Sequence, residues 1–504
     1  MYGRGGMPSS IFGSRFSVGY PMHANSLATI MLLSWPLFAA LIFMRMERVN
    51  AAIWSILLAY MFLPPSYYID LPVVPALGKY EIASVATAVM LWLRLGRKGG
   101  VRDPMADDTR PVMPVWTKFL VFLLLVSAVL TVLNNDDALV SGISYRPGMQ
   151  LSDAVANAIL QLIELIPFFI GFRLLSTPQQ TRKLLVALML AVLIYSIPML
   201  LEVRLSPQLN TWIYGYFQHE FAQAMRYGGF RPIVFMYHPI WVASFATMGF
   251  IATLCLTRTY QVNVRMMLVI CYLIVLLILC KTMTAILMAV LAMPLVLVAS
   301  PRAVLTISAV VAIAVFVYPV LRLTDLVPTE DILGLIGSSQ PERADSLQVR
   351  FDNEVILMAR ALERPMFGWG SWGRNFPVDP VSGRYGAIAD GAWVITMGSR
   401  GILGYIAQFG LLISPIIILW QRRFALFRRF DHTDLLMITT LVLMMAINLI
   451  ELIPNATLTP LTWLLNGAIL GHAARLQYSR ALRRRWQRED SEALAKKAGL
   501  RPAL

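Results

Sequence analysis

Apolar residues gather along this chain into long uninterrupted blocks, and the charged residues fall mostly between them. Thirteen blocks stand out, near residues 27–44, 49–64, 81–95, 114–133, 155–174, 183–201, 240–257, 264–280, 283–299, 303–321, 402–420, 435–453 and 456–473. A run of about 17–25 apolar residues can cross the hydrocarbon core of a bilayer as a helix. A helix also satisfies its own backbone groups where water is absent. The alternative, a strand barrel, needs apolar and polar residues to alternate, and these blocks do not. The pattern predicts an all-α, polytopic transmembrane bundle of 12–13 spans.

Composition agrees. The 504 residues are 58% hydrophobic and only 14% charged, against about 25% charged in soluble domains. The net charge of +15 invites a nucleic-acid reading, but its location argues for membrane topology. Arg94, Arg97, Lys98, Arg102, Arg110 and Lys118 fill one connection, and Arg422, Arg423, Arg428 and Arg429 another. The tail adds Arg475, Arg480, Arg483, Arg484, Arg485, Arg488, Lys496, Lys497 and Arg501. Short basic loops mark the cytoplasmic face, and a basic tail suits anionic lipid headgroups, so membrane lipids are expected partners and nucleic acid is not. Cys255, Cys271 and Cys280 lie in apolar blocks, which is no disulfide framework.

The remaining loops then fall outside. Residues 134–154 carry Asp136, Asp137 and Asp153 against Arg146, and residues 322–391 hold ten acidic and seven basic side chains. Thirteen spans leave Arg4 and Arg15 outside, and twelve result if one early block turns back within the membrane. The chain divides into a polar N-terminal segment 1–26, a bundle 27–321 containing the outer loop 202–239, a long outer loop 322–391, C-terminal spans 392–473 and a basic cytoplasmic tail 474–504. The long loop exceeds a plain connector. From Gln348 to Glu363, the residues Phe351, Val355, Met358, Ala359 and Leu362 share one helical face, predicting an amphipathic helix that Pro365 stops. It would lie on the membrane or roof a cavity.

No GxxxxGK[ST] is present, which argues against a built-in nucleotide motor. No HExxH or paired CxxC offers zinc ligands, and no cytoplasmic loop is long enough to fold a nucleotide-sugar domain. An enzyme of this kind takes its substrate from within the membrane, without a metal or other cofactor. Outer loop 202–239 holds Trp212, Tyr214, Tyr216, His219, Glu220, Arg226, Tyr227, Arg231, Tyr237 and His238. Arginine forks onto phosphate oxygens and aromatic rings stack on sugars, yet the same composition makes an interfacial belt. Lys281, between two spans, either snorkels or lines a cavity with Arg231. Glu164, within a span, is structural, paired, or part of a proton path. Asp390 stands where the long loop meets the next span, a mouth position suited to a general base, with His219 and His238 as rivals.

Four short stretches together resemble the O-antigen ligase and polysaccharide polymerase (Wzy-type) family of bacterial inner membranes. Arg231-Pro-Ile-Val-Phe-Met-Tyr-His238-Pro239 is similar to the family's arginine, spacer and His-Pro. Cys280-Lys281-Thr282 occupies the place of its Ser-Arg. Glu363-Arg-Pro365-Met-Phe-Gly368-Trp-Gly370 is similar to its turn after an amphipathic helix, and Gly401-Ile-Leu-Gly404 to its "GllG". Ligases of the family usually carry a histidine about a dozen residues before GllG, where this chain has Ala389-Asp390-Gly391 and residues 322–391 hold none. That departure leaves room for a polymerase branch. The resemblance implies metal-independent glycosyl transfer at the periplasmic face from an undecaprenyl-diphosphate-linked glycan to an acceptor glycan or lipid. Arg231 and Lys281 would meet the phosphates, with Arg226 in reserve, and Asp390 the acceptor hydroxyl. His219, His238, Trp369 and Trp372 would bind substrate, and other polysaccharide assembly proteins would be neighbours. A lipid-linked sugar flippase and a non-catalytic envelope scaffold are the rival expectations.

Overall fold

The computed structural model describes residues 24–71, 74–93, 111–260, 263–338, 341–371 and 373–476. Arg4, Arg15, the basic stretch Arg94 to Arg110, the tail beyond Leu476 and Trp372 lie outside the described residues. Among those described, the chain is almost entirely helical, with strands only in three short two-stranded ladders. Each of the thirteen apolar blocks falls mainly on helix over its described residues, the last of them from Pro460 onward.

Among the described residues, eight helices are long and apolar enough to cross a membrane: Ser26–Arg45, Val115–Leu133, Leu151–Leu174, Pro178–Leu205, Pro239–Thr259, Pro301–Leu323, Ala392–Gln421 and His432–Glu451. Arg48–Phe62, Val264–Leu279 and Met283–Leu297 are apolar but shorter. The charged gaps supply the helix starts. Asn25, Asn263, Ser300 and Asp431 each accept a hydrogen bond from a first-turn amide, satisfying donors that the helix itself leaves open.

Burial orders the bundle from centre to rim. The most apolar-facing window of Pro239–Thr259 is 89% buried and that of His432–Glu451 78%, whereas that of Ser26–Arg45 is 28%. Pro239–Thr259 and His432–Glu451 are therefore central. The first helix turns Ile30, Leu33, Leu37 and Leu41 outward, an exposed apolar surface that water would not tolerate and lipid would.

Loops 206–238 and 324–391 share one end, for the charge of Arg350 is felt at Arg231 and His238. The carbonyls of Asp137 and Pro147 accept from Arg374 there, both at 3.0 Å. The opposite end gathers Arg258 on the carbonyls of Val296 and Ala299, and Arg475 on Ser176.

The long loop holds helices Thr329–Gly337 and Pro341–Leu362. The expected amphipathic helix exists, but its inward face is Glu354, Leu357, Met358 and Ala361, while Val355, Ala359 and Leu362 are exposed. The reason is polar. Glu354 is drawn inward by Tyr318 Oη, Arg322 Nε and Trp393 Nε1, at 3.3, 3.4 and 3.4 Å, and the helix rotates with it.

The stretch after Pro365 solves a backbone problem in the next helix. Ala392–Gln421 is broken at Gly401, whose φ of 67° and ψ of −168° are not helical. The amides of Ile402 and Leu403 donate to the carbonyls of Pro365 and Met366 (2.7 and 3.2 Å), and those of Trp369 and Gly370 to Gly398 and Ser399 (2.9 and 2.9 Å). Buried backbone groups freed by the break thus regain partners.

Candidate functional site

Loop 206–238 is held from below by two buried ionisable groups. The carboxylate of Glu202 accepts from the amides of Ile233 and Val234, both at 2.7 Å, and of Leu209 at 3.1 Å. The ammonium of Lys79 donates to the carbonyls of Phe235 and Tyr60, at 2.7 and 2.8 Å. It also lies 5.4–5.6 Å from the ring centres of Tyr60, Tyr80 and Tyr237. These contacts hold the chain through the left-handed Val234 (φ 54°) and thereby fix Arg231 beside it.

Arg231 is 2% exposed. Its Nη2 donates to Thr282 Oγ1 at 2.8 Å and its Nη1 to the Gln223 carbonyl at 3.3 Å. Its Nε has no partner, and among the described residues no carboxylate pairs with it. Burial first, then the charge of Arg226, push its pKa down to about 10, so the group stays cationic at neutral pH. A buried cation without a counter-charge is costly, and an anion offers it the missing partner.

Lys281 reaches the same place from the turn between Val264–Leu279 and Met283–Leu297. Its own backbone is left-handed (φ 49°), and its Nζ donates to the Arg226 carbonyl at 3.2 Å. A Cβ on Gly229 would stand 2.2 Å from that nitrogen, so the glycine makes room for the lysine.

Asp390 joins through Arg350. Their Oδ2 and Nε lie 3.4 Å apart, and the charge of Arg350 is felt at Arg231, His238 and Glu451. Burial raises the Asp390 carboxyl above its usual range, and Arg350 opposes that rise.

The two histidines form a pair with ring centres 4.6 Å apart. His238 Nδ1 accepts from the Ile240 amide and its Nε2 meets Gln223 Oε1, both at 3.1 Å. The ring is therefore a neutral Nε2–H tautomer with both nitrogens engaged, a helix cap rather than a base. His219 Nδ1 accepts from the Glu220 amide at 2.8 Å. Burial lowers both pKa values, and at His238 the charges of His219 and Arg231 add to it.

The sequence expectations fare unevenly. Arg226, Arg231, Lys281, His219 and His238 come together, with Asp390 linked by Arg350. Trp369 does not join them. It is 6% exposed, with Arg360 and Arg364 stacked 3.4 and 4.2 Å from its ring centre and its Nε1 on the Arg360 carbonyl at 2.7 Å. A ring so enclosed offers no face to a sugar. Glu164 lies near Gln161, 3.2 Å away, within the field of Arg400. Lys79, Glu202 and Arg350 were not foreseen. Glu202 ends an apolar block and Arg350 sits among helix-surface charges, so neither carries a local signal.

The eight long apolar helices define the class, a multi-pass membrane protein. No family model matches the chain, and no curated protein matches it.

Proposed function

We propose that this protein is a membrane glycosyltransferase of the bacterial inner membrane. It would act at the periplasmic face on an undecaprenyl-diphosphate-linked glycan, polymerising repeat units or ligating the glycan to an acceptor. One observation supports this above the others: Arg231 is buried without a carboxylate, has a spare N–H, and is neighboured by Arg226, Lys281 and Arg350. Such a cluster suits a diphosphate.

In this reading the acceptor hydroxyl oxygen attacks the anomeric carbon. The bond from that carbon to the diphosphate oxygen breaks, and its electron pair leaves with the diphosphate. The hydroxyl proton passes to Asp390. Charge that develops on the leaving oxygen meets cations already oriented, which is the largest single lever such a site has. Polymerase is preferred to ligase because loop 322–391 contains no histidine.

The test is complementation of a gene deletion with Arg231→Ala, Lys281→Ala and Asp390→Ala, reading glycan length and attachment on gels. A polymerase requires single repeat units to build up on the carrier, and a ligase requires long chains to stay there. Short units trapped inside the cell would instead mark a flippase. Normal glycan from all three variants would remove the assignment.

A further inference from the structure

The connection between helices Val115–Leu133 and Leu151–Leu174 forms a hairpin, Leu139–Ser141 paired with Ser144–Arg146, whose polarity is the reverse of a water-facing one. Leu139, Ser141, Ser144 and Arg146 share one face. Ser141 Oγ donates to the Val378 carbonyl at 3.3 Å, and Arg146 Nη1 donates to the Gly373 carbonyl. The Arg146 guanidinium also lies 5.0 Å from the ring centre of Tyr385. At the turn, a Cβ on Gly142 would come within 1.7 Å of the Pro380 carbonyl oxygen. The polar face is therefore turned inward, onto loop 373–385. The other face presents the cross-strand pair Val140 and Tyr145, with Ile143 at the turn, and these are 72, 68 and 77% exposed.

We propose that Val140, Ile143 and Tyr145 form a membrane anchor, seated in the lipid headgroup layer at this end of the bundle. The inference holds whatever reaction the cationic cluster serves.

Three observations name lipid as the occupant. The first is position. The Met149 amide donates to the Asn135 carbonyl at 2.8 Å, closing the hairpin's root directly on the ends of two spans. Strands of three residues are about 10 Å long, which keeps the hairpin beside those ends. The second is continuity. Leu133, at the end of one span, and Leu151, Val155 and Leu162, along the other, are exposed, so the apolar surface that lipid covers on the spans reaches the root on both sides. The third is charge. The exposed face holds none, and Asp137 at the root is drawn away by Arg364 and Arg374, at 2.6 and 3.2 Å. A tyrosine among aliphatic side chains suits headgroup depth, whereas water disfavours such a patch.

The consequence is mechanical. Loop 373–385 runs on to Asp390, so an anchored hairpin would fix the height of that loop above the bilayer.

The test uses the full chain in lipid nanodiscs. Cys271 is exposed, whereas Cys255 and Cys280 are buried, so Ile143→Cys is made together with Cys271→Ser and labelled with an environment-sensitive dye. The dye should lose most of its emission to lipids that carry a nitroxide near the headgroup, and little to iodide in the water. Quenching by iodide but not by the nitroxide lipids overturns the anchor. Shielding from both quenchers means that protein covers the face, and overturns it too. A second measurement does not depend on the label. Val140→Ser with Ile143→Ser should leave the melting midpoint in detergent unchanged, because the face packs on no protein, yet expose loop 373–385 to added protease in nanodiscs. A lowered midpoint, or protection equal to wild type in nanodiscs, counts against the proposal.

Discussion

Arg231 Nη2 donates to Thr282 Oγ1 at 2.8 Å, joining two positions fifty-one residues apart in the chain. The bond sets the guanidinium's plane and leaves Nε free. Arg231→Ala is expected to cut glycan transfer about 10²- to 10³-fold, the range for removing one preorganised donor. Arg231→Lys should restore little, because an ammonium cannot fork. Thr282→Val should cost less than Arg231→Ala. Initial rates of polymer formation in membranes decide the order, and a fully active Arg231→Lys would contradict it.

Asp390 makes a prediction in pH. A base works when ionised, and burial raises this carboxyl. The rising limb of activity should therefore lie above the ordinary aspartate range. Arg350 favours the ionised form, so Arg350→Gln should move the limb to still higher pH, while Asp390→Asn should lower the rate about 10²-fold or more. The pH profile of kcat/KM tests this, and an unmoved limb in Arg350→Gln would count against Asp390.

Gly368 and Gly401 face one another across the broken helix. A Cβ on Gly401 would stand 2.4 Å from the Met366 carbonyl atoms, and one on Gly368 2.5 Å from the Arg400 amide nitrogen. Both have positive φ, 68° and 67°. Alanine at either position should destabilise the fold by about 1–3 kcal/mol through strain alone, with the clash added. Thermal melting in detergent reads this out, and an unchanged midpoint in both variants would refute the docking.

Glu202 tests the support beneath the loop. Glu202→Ala leaves the amides of Leu209, Ile233 and Val234 without their acceptor, a cost of about 1–3 kcal/mol or more. Glu202→Gln keeps the shape and should lose less. Limited proteolysis should find new cuts between residues 206 and 238 in the alanine variant, and protection equal to wild type would show that the loop needs no such anchor.

Much of the fold was legible because it depends on local properties. Block length and apolarity decide which segments become helices in a bilayer, whatever their neighbours, and each expected span lies on helix. Arg231, Lys281 and Asp390 could also be named in advance, since charges at the edges of apolar blocks stand out. Position around a helix was less readable. The stripe through Phe351, Val355 and Leu362 suggested a face on the membrane or over a cavity, and Val355 and Leu362 do face outward, but the face turned to the bundle is marked by Glu354 and its three donors.

By itself the sequence determined a membrane-spanning helical chain and the chemical types gathered at one end. Only tertiary structure decided which of them meet. Arg350 bridges to Asp390, His238 is spent on capping, and Trp369 is enclosed by two arginines. The reason is that helix formation is set by neighbours in the chain, whereas burial, tautomer and pairing depend on how loops fold back to bring side chains together, as Gln223 to His238 and Arg350 to Asp390. Those partners leave no mark on the local pattern.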